Sequence, residues 1–83
     1  MIIENLYVTG FSDTDEEGIR ISGGTDNEIR YCNIYGNNFG IRVSEGSGNT
    51  IRNCDIYDNS THGIDVIFST GNTVVNNKIH DNT

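Results

Sequence analysis

The chain repeats itself every 22 or 23 residues. Gly18-Ile19-Arg20-Ile21 returns as Gly40-Ile41-Arg42-Val43 and again as Gly63-Ile64-Asp65-Val66. Asn27-Glu28-Ile29 recurs as Asn49-Thr50-Ile51 and Asn72-Thr73-Val74, and Cys32-Asn33-Ile34-Tyr35 recurs as Cys54-Asp55-Ile56-Tyr57 and Asn77-Lys78-Ile79-His80. A period of this length restricts the fold to a solenoid, because one repeat is too small to bury its apolar face and must stack on the next.

The spacing inside a repeat says what kind of solenoid. Apolar residues alternate as Ile19-x-Ile21 and otherwise stand alone, as Ile29 and Ile34 do, so each segment turns one or two side chains inward. That is too sparse for an amphipathic helix. Proline is absent, and the β-branched residues Ile, Val and Thr dominate the apolar positions, as strands prefer. The pattern predicts three short strands per turn, in the middle repeat near residues 40–44, 49–52 and 54–57. Asparagine recurs at matching corners: Asn5, Asn53 and Asn76 at one, Asn27, Asn49 and Asn72 at a second, Asn37, Asn59 and Asn82 at a third. Because Asn tolerates the left-handed conformation of a sharp corner, positive φ is expected at these positions, Asn49 included.

The unit G-I-x-[IV]-x(5)-N-x-[IV]-x(2)-[CN]-x-I-x-x-N, repeated over residues 18–83 with a degenerate copy at Ile3 to Val8, resembles the right-handed parallel β-helix, or pectate-lyase-like, proteins. The resemblance implies an all-β, right-handed parallel β-helix of about 3.5 coils, read as one domain over residues 1–83. Its parts are a partial coil 1–17 and coils 18–39, 40–62 and 63–83. The family includes pectin and alginate lyases, epimerases, polygalacturonases, tailspikes and adhesins, so the fold alone selects no activity.

The net charge of -7 disfavours nucleic acid and anionic membrane as partners. No apolar run approaches a transmembrane length, and the first residues lack the basic and hydrophobic regions of a signal peptide, which leaves the compartment open. Cys32 and Cys54 lie one repeat apart and should stack at about 4.8 Å. Parallel Cβ vectors at that spacing do not suit a relaxed disulfide, so two buried free thiols are expected, with Asn77 continuing their column.

In-register stacking turns each outward position into a ladder. Arg20, Arg42 and Asp65 should form one, and Arg30, Arg52 and Val75 another. The like charges call for compensation by Glu28 and Glu45 or for the carboxylates of an acidic polysaccharide. Tyr35, Tyr57 and His80 form a third ladder, which could present a platform for sugar rings or stack on itself. His62 and Asp65 are the best catalytic fragment, and His62-Gly63 faintly resembles the His-Gly element of polygalacturonases. The equivalents of Asp65 are arginines, however, and no second acid stands by for glycoside hydrolysis. Between Val8 and Gly18 the repeat is interrupted by Asp13-Thr14-Asp15-Glu16-Glu17. Asp13, Asp15 and Glu17 overlap the start of a calcium loop, but the twelfth position holds Gly24 instead of Glu, so a solvated loop is expected and no cofactor is implied.

The function expected on these grounds is a non-catalytic module that self-associates and contacts carbohydrate. The alternatives are a fragment of a polysaccharide lyase, epimerase or hydrolase, and a tailspike or adhesin stalk segment. A dimer is expected, through pairing of like solenoid ends at Ile2, Ile3 and Val8 or at Val74, Val75 and Ile79, because indefinite stacking would accumulate acidic repulsion.

Overall fold

The computed structural model describes residues 1–82, and they form a parallel β-solenoid. Its strands are β1 (Ile2–Glu4), β2 (Tyr7–Val8), β3 (Glu17–Ser22), β4 (Glu28–Arg30), β5 (Asn33–Tyr35), β6 (Phe39–Ser44), β7 (Thr50–Arg52), β8 (Asp55–Tyr57), β9 (His62–Ile67), β10 (Thr73–Val75) and β11 (Lys78–His80). Every third strand joins the same sheet. Sheet A is β1-β4-β7-β10, sheet B is β2-β5-β8-β11 and sheet C is β3-β6-β9. All pairings are parallel and in register, so the strands expected from the middle repeat appear within one residue of their predicted bounds.

Register converts the repeat into columns. In each three-residue strand only the central side chain faces inward, giving Ile3–Ile29–Ile51–Val74 in sheet A and Val8–Ile34–Ile56–Ile79 in sheet B. Sheet C supplies Ile19–Ile41–Ile64 and Ile21–Val43–Val66. The interior members of these columns form the core, and each fully buried isoleucine contributes about 1.5–3 kcal/mol.

The corners depart from expectation in a consistent way. Asn5, Asn53 and Asn76 do have positive φ, but Asn27, Asn49 and Asn72 do not, nor do Asn37, Asn59 and Asn82. The left-handed residue is the one before: Asp26, Gly48 and Gly71 in the first set, Gly36, Asp58 and Asp81 in the second. Glycine and aspartate take the turn, and the asparagine that follows points its amide into the solenoid. Asn49 Nδ2 donates to Gly24 O (3.0 Å), while Asn49 Oδ1 accepts from the backbone N–H of Asn27 (2.9 Å). Asn59 stands in the same relation to Ile34 O and to the backbone N–H of Asn37. Each amide therefore reaches back to the preceding coil, satisfying one donor and one acceptor there.

The cysteines occupy the third such column. Cys32 and Cys54 follow the left-handed Tyr31 and Asn53, are buried and free, and direct Sγ toward Ile3 O (3.9 Å) and Ile29 O (3.8 Å). Asn77, next in line, donates to Ile51 O (3.0 Å) and accepts from the backbone N–H of Cys54 (2.9 Å). A thiol here is a weak version of the amide. Burial also pushes the Cys54 thiol pKa up, so Cys54 should resist thiol reagents until the solenoid opens. Cys54→Asn should keep full stability or gain up to about 1 kcal/mol, since it restores the bonds Asn77 makes. A thermal melt decides this, and a clear loss would show that the column cannot take an amide at that coil.

Backbone bonds extend all three columns into the first coil. Glu28 N–H donates to Met1 O, Asn33 N–H to Leu6 O and Asn38 N–H to Phe11 O. These match Thr50 to Asn27 O, Asp55 to Cys32 O and Ser60 to Asn37 O one coil later. Met1, Leu6 and Phe11 thus precede Asn27, Cys32 and Asn37 at a constant offset of 26. The apolar ends differ from the expected sets as well. Ile2 and Val75 pair with Glu28 and Arg52 on the outer face of sheet A and do not look along the axis.

Candidate functional site

The outward residues form the expected ladders, and most of their chemistry is already engaged. On sheet A, Arg30 and Arg52 are register partners. Glu28 lies between them, with Oε2 2.7 Å from Arg30 Nη1 and 3.3 Å from Arg52 Nη2. Glu4 takes Arg30 Nε at 2.6 Å, and Arg52 lies over the Tyr31 ring at 5.2 Å while donating to its hydroxyl. The hydrogen bonds from Arg52 and then Arg30 hold the Glu28 carboxyl below its usual range, while Glu4 and then Glu28 raise the pKa of Arg30, and Tyr31 and then Glu28 raise that of Arg52.

On sheet C the Arg20–Arg42–Asp65 ladder forms as expected. Asp65 Oδ2 binds Arg42 Nε at 3.2 Å, and Glu17 Oε1 sits 3.7 Å from Arg20 and 3.9 Å from Arg42. Arg42 also covers the Phe39 ring at 4.6 Å. Compensation thus comes from within the chain. Glu28 plays its expected part, but Glu4, Glu17 and Asp65 take the share assigned to Glu45, which makes no ion pair among the described residues. Glu28→Gln should lower the melting temperature more than Glu45→Gln, with the difference shrinking in high salt. Equal melts for the two variants would remove Glu28 as the link between the arginines.

The remaining candidates are placed less favourably for chemistry. His62 tilts against Phe39 with ring centroids 5.7 Å apart, whereas Asp65 is held by Arg42, and no hydrogen bond joins the two. The acidic loop does not converge either. Asp13 and Glu16 close a turn on each other, Asp15 carries the loop's positive φ, and Glu17 has left the loop for β3 and its arginines. Among the described residues no three His, Cys, Asp or Glu side chains are grouped to hold a metal ion.

Sheet B carries the aromatic ladder. Tyr35 and Tyr57 stack at 5.1 Å and 6°, and Tyr57 and His80 at 5.2 Å and 11°. Tyr57 is covered on both faces and offers only a ring edge, whereas Tyr35 and His80 each have one face covered in the stack. Of the two expected roles, self-stacking is the one the rings adopt. His80 is further fixed by Asp81 Oδ2 (2.8 Å) and Asp55 Oδ1 (3.0 Å), and these carboxylates raise its pKa, Asp81 more than Asp55.

A folded-state pKa above the unfolded value of about 6.5 means that the imidazolium's contribution is complete below that pH. It is lost as pH rises through the folded value. The melting temperature should fall across that interval in the parent and stay level in His80→Gln. A parent profile as flat as the variant's would show that the clamp carries no stability.

One surface was not anticipated as a unit. Tyr31, Asn33, Asn53, Asp55, Asn76 and Lys78 line a shallow groove along the corner between sheets A and B, above the two cysteines. Asn53 and Asn76 are corner positions, and only the turn between strands brings them beside Tyr31, Asn33, Asp55 and Lys78.

A family model described as a right-handed β-helix region matches residues 1–83. No curated protein and no solved structure matches the chain. Parallel in-register sheets, three strands per turn and the match along the whole sequence lead to one conclusion: the chain belongs to the right-handed β-helix family.

Proposed function

We propose that the chain is a non-catalytic β-helix module that self-associates through one end of its solenoid. The observation that carries this reading is the opening of the core columns. Val43, Ile51 and Ile56 are 0–2% exposed, while Val66, Val74 and Ile79, next in the same columns, are 40%, 44% and 47% exposed. Parallel strands with one unpaired edge surround this apolar surface, and together they favour association. Turnover has less support, because Asp65 is neutralised by Arg42. Sedimentation at micromolar concentration tests the proposal. A particle of twice the 9.2 kDa chain mass is expected, and a monomer throughout would refute it.

A second reading, contact with a saccharide, is favoured by the corner groove alone, whose amides, carboxylate and ammonium suit sugar hydroxyls. The four arginines first assigned to this role are occupied by carboxylates. Titration with neutral and uronic oligosaccharides should perturb Tyr31 fluorescence or NMR signals if the groove binds. No change at millimolar ligand would remove this reading.

A further inference from the structure

Cys32 and Cys54 set two sulfur atoms one above the other. Asp55 N–H donates to Cys32 O at 2.9 Å, and Asn33 and Asp55, which follow the two cysteines, are register partners, so the cysteines hold the same place in successive coils. Their thiols also point the same way. Cys32 Sγ lies 3.4 Å from Arg30 O and 3.9 Å from Ile3 O, and Cys54 Sγ lies 3.3 Å from Arg52 O and 3.8 Å from Ile29 O, the matching carbonyls one coil later. Two sulfurs in equivalent positions and orientations are separated by the distance between coils, about 4.8 Å.

That separation is far too long for a disulfide, whose sulfurs stand about 2.05 Å apart. It fits a sulfur–metal–sulfur bridge, because two bonds of about 2.3 Å placed in line span about 4.6 Å. The angle at sulfur suits the same bridge. Each Sγ is nearer a carbonyl of its own coil than one of the coil before, so the Cβ–Sγ bonds lie largely across the stack, and an ion between the sulfurs meets each bond close to a right angle. Two thiolates in line are the donor set of a soft monovalent cation such as Cu(I) or Ag(I), whereas zinc takes four ligands and calcium takes oxygen.

Access and charge are provided from the same corner. Both cysteines line the groove of about 440 Å³ that runs along it, which gives an ion its route to the sulfurs. As each sulfur–metal bond forms, the thiol proton leaves to solvent, so one monovalent ion and two thiolates make a bridge with a single net negative charge. Lys78 lines the groove as well, and unlike the four arginines it makes no ion pair among the described residues, which leaves its ammonium to offset that charge. Asp55, the acid of the groove, is engaged by His80 Nε2 at 3.0 Å.

We propose that Cys32 and Cys54 form a two-coordinate site for a soft monovalent cation of the Cu(I) class, bridging successive coils inside the corner. The site lies within the wall of the solenoid and depends neither on its ends nor on self-association.

The probe is Ag(I), which shares the preference for sulfur and keeps its oxidation state, titrated into the full chain in chloride-free buffer without added thiol. Native mass spectrometry should show one ion per chain. The melting temperature should rise, because the folded chain holds its sulfurs at the bridging distance and the unfolded chain does not. Cys32→Asn and Cys54→Asn, which supply the residue this column uses at Asn77, should each bind Ag(I) at least about a hundredfold more weakly and show no rise in melting temperature. C32S and C54S, closer to cysteine in size, serve in their place if the amide disturbs either coil. Absence of binding, two ions per parent chain, or a folded single-cysteine variant that binds within about tenfold of the parent would overturn the bridge. So would a melting temperature left unchanged or lowered by the ion, since the metal would then take its sulfurs only after the coils part.

Discussion

Gly40→Ala is expected to remove a large share of the protein's stability, although it adds a single methyl group. Gly40 has an ordinary backbone conformation, so the reason is space, not torsion. A Cβ at this position would collide with the backbone carbonyl of Gly63 in the next coil, while Asn59 Nδ2 and Ile56 Cγ2 close in at 3.0 and 3.1 Å. The carbonyl cannot move without parting β6 from β9, and the amide belongs to a corner column. Overpacking of this kind costs about 3 kcal/mol or more, against a total of roughly 4–12 kcal/mol for a chain of this length. Gly63→Ala should cost less, because the nearest atoms it meets are in the side-chain amide of Asn82. Gly23→Ala meets nothing within 4 Å and carries only the strain of φ +68°, about 1–2 kcal/mol. Urea melts of the three variants should rank them in that order. A Gly40→Ala protein within 1 kcal/mol of the parent would show that the coils are not packed this closely.

The second large effect is expected at Asn49, which is 1% exposed. Truncation to alanine takes the acceptor from the backbone N–H and the side-chain amide of Asn27, the donor from Gly24 O and the partner from Asn72 Oδ1. Each buried group left without a partner costs about 1–3 kcal/mol, so a loss near 3 kcal/mol follows even if water reaches some of them. Asn49→Gly should be no better, since no positive φ awaits relief there. Asn27→Ala should be milder, because Asn27 lies nearer the open end and its amide bonds only forward, to Asn49. Chemical denaturation of N49A, N49G and N27A provides the comparison. If N49A matches the parent, the amide columns are ornament to a fold held by isoleucine alone.

The columns themselves were legible in the sequence, because a 22-residue period combined with alternation leaves one way to stack: Arg20 on Arg42 on Asp65, Tyr35 on Tyr57 on His80. Reading stopped where reach and torsion take over. Whether Glu17 or Glu45 compensates an arginine depends on where a flexible side chain ends, and both lie within a few residues of the ladder. At Asp26-Asn27 two adjacent residues tolerate the left-handed region, and composition does not say which takes it. Leu6 was legible as the residue behind Cys32 in its column, but Met1 and Phe11 were not, because the long loop before β3 stretches the first offset from 22 to 26 and the shorter period does not reach them. Orientation of the tyrosine rings is invisible in a string of letters.

The uniform direction of the amide columns makes construction of the solenoid vectorial. A coil leaving the ribosome has its own strands but not the carboxamides that finish its corners, since those belong to the 22 or 23 residues still to come. At about 5–20 residues per second, each coil waits roughly one to four seconds for its successor. During synthesis the growing tip is therefore always the least finished part, and every new turn both completes the one before it and becomes the next surface awaiting completion.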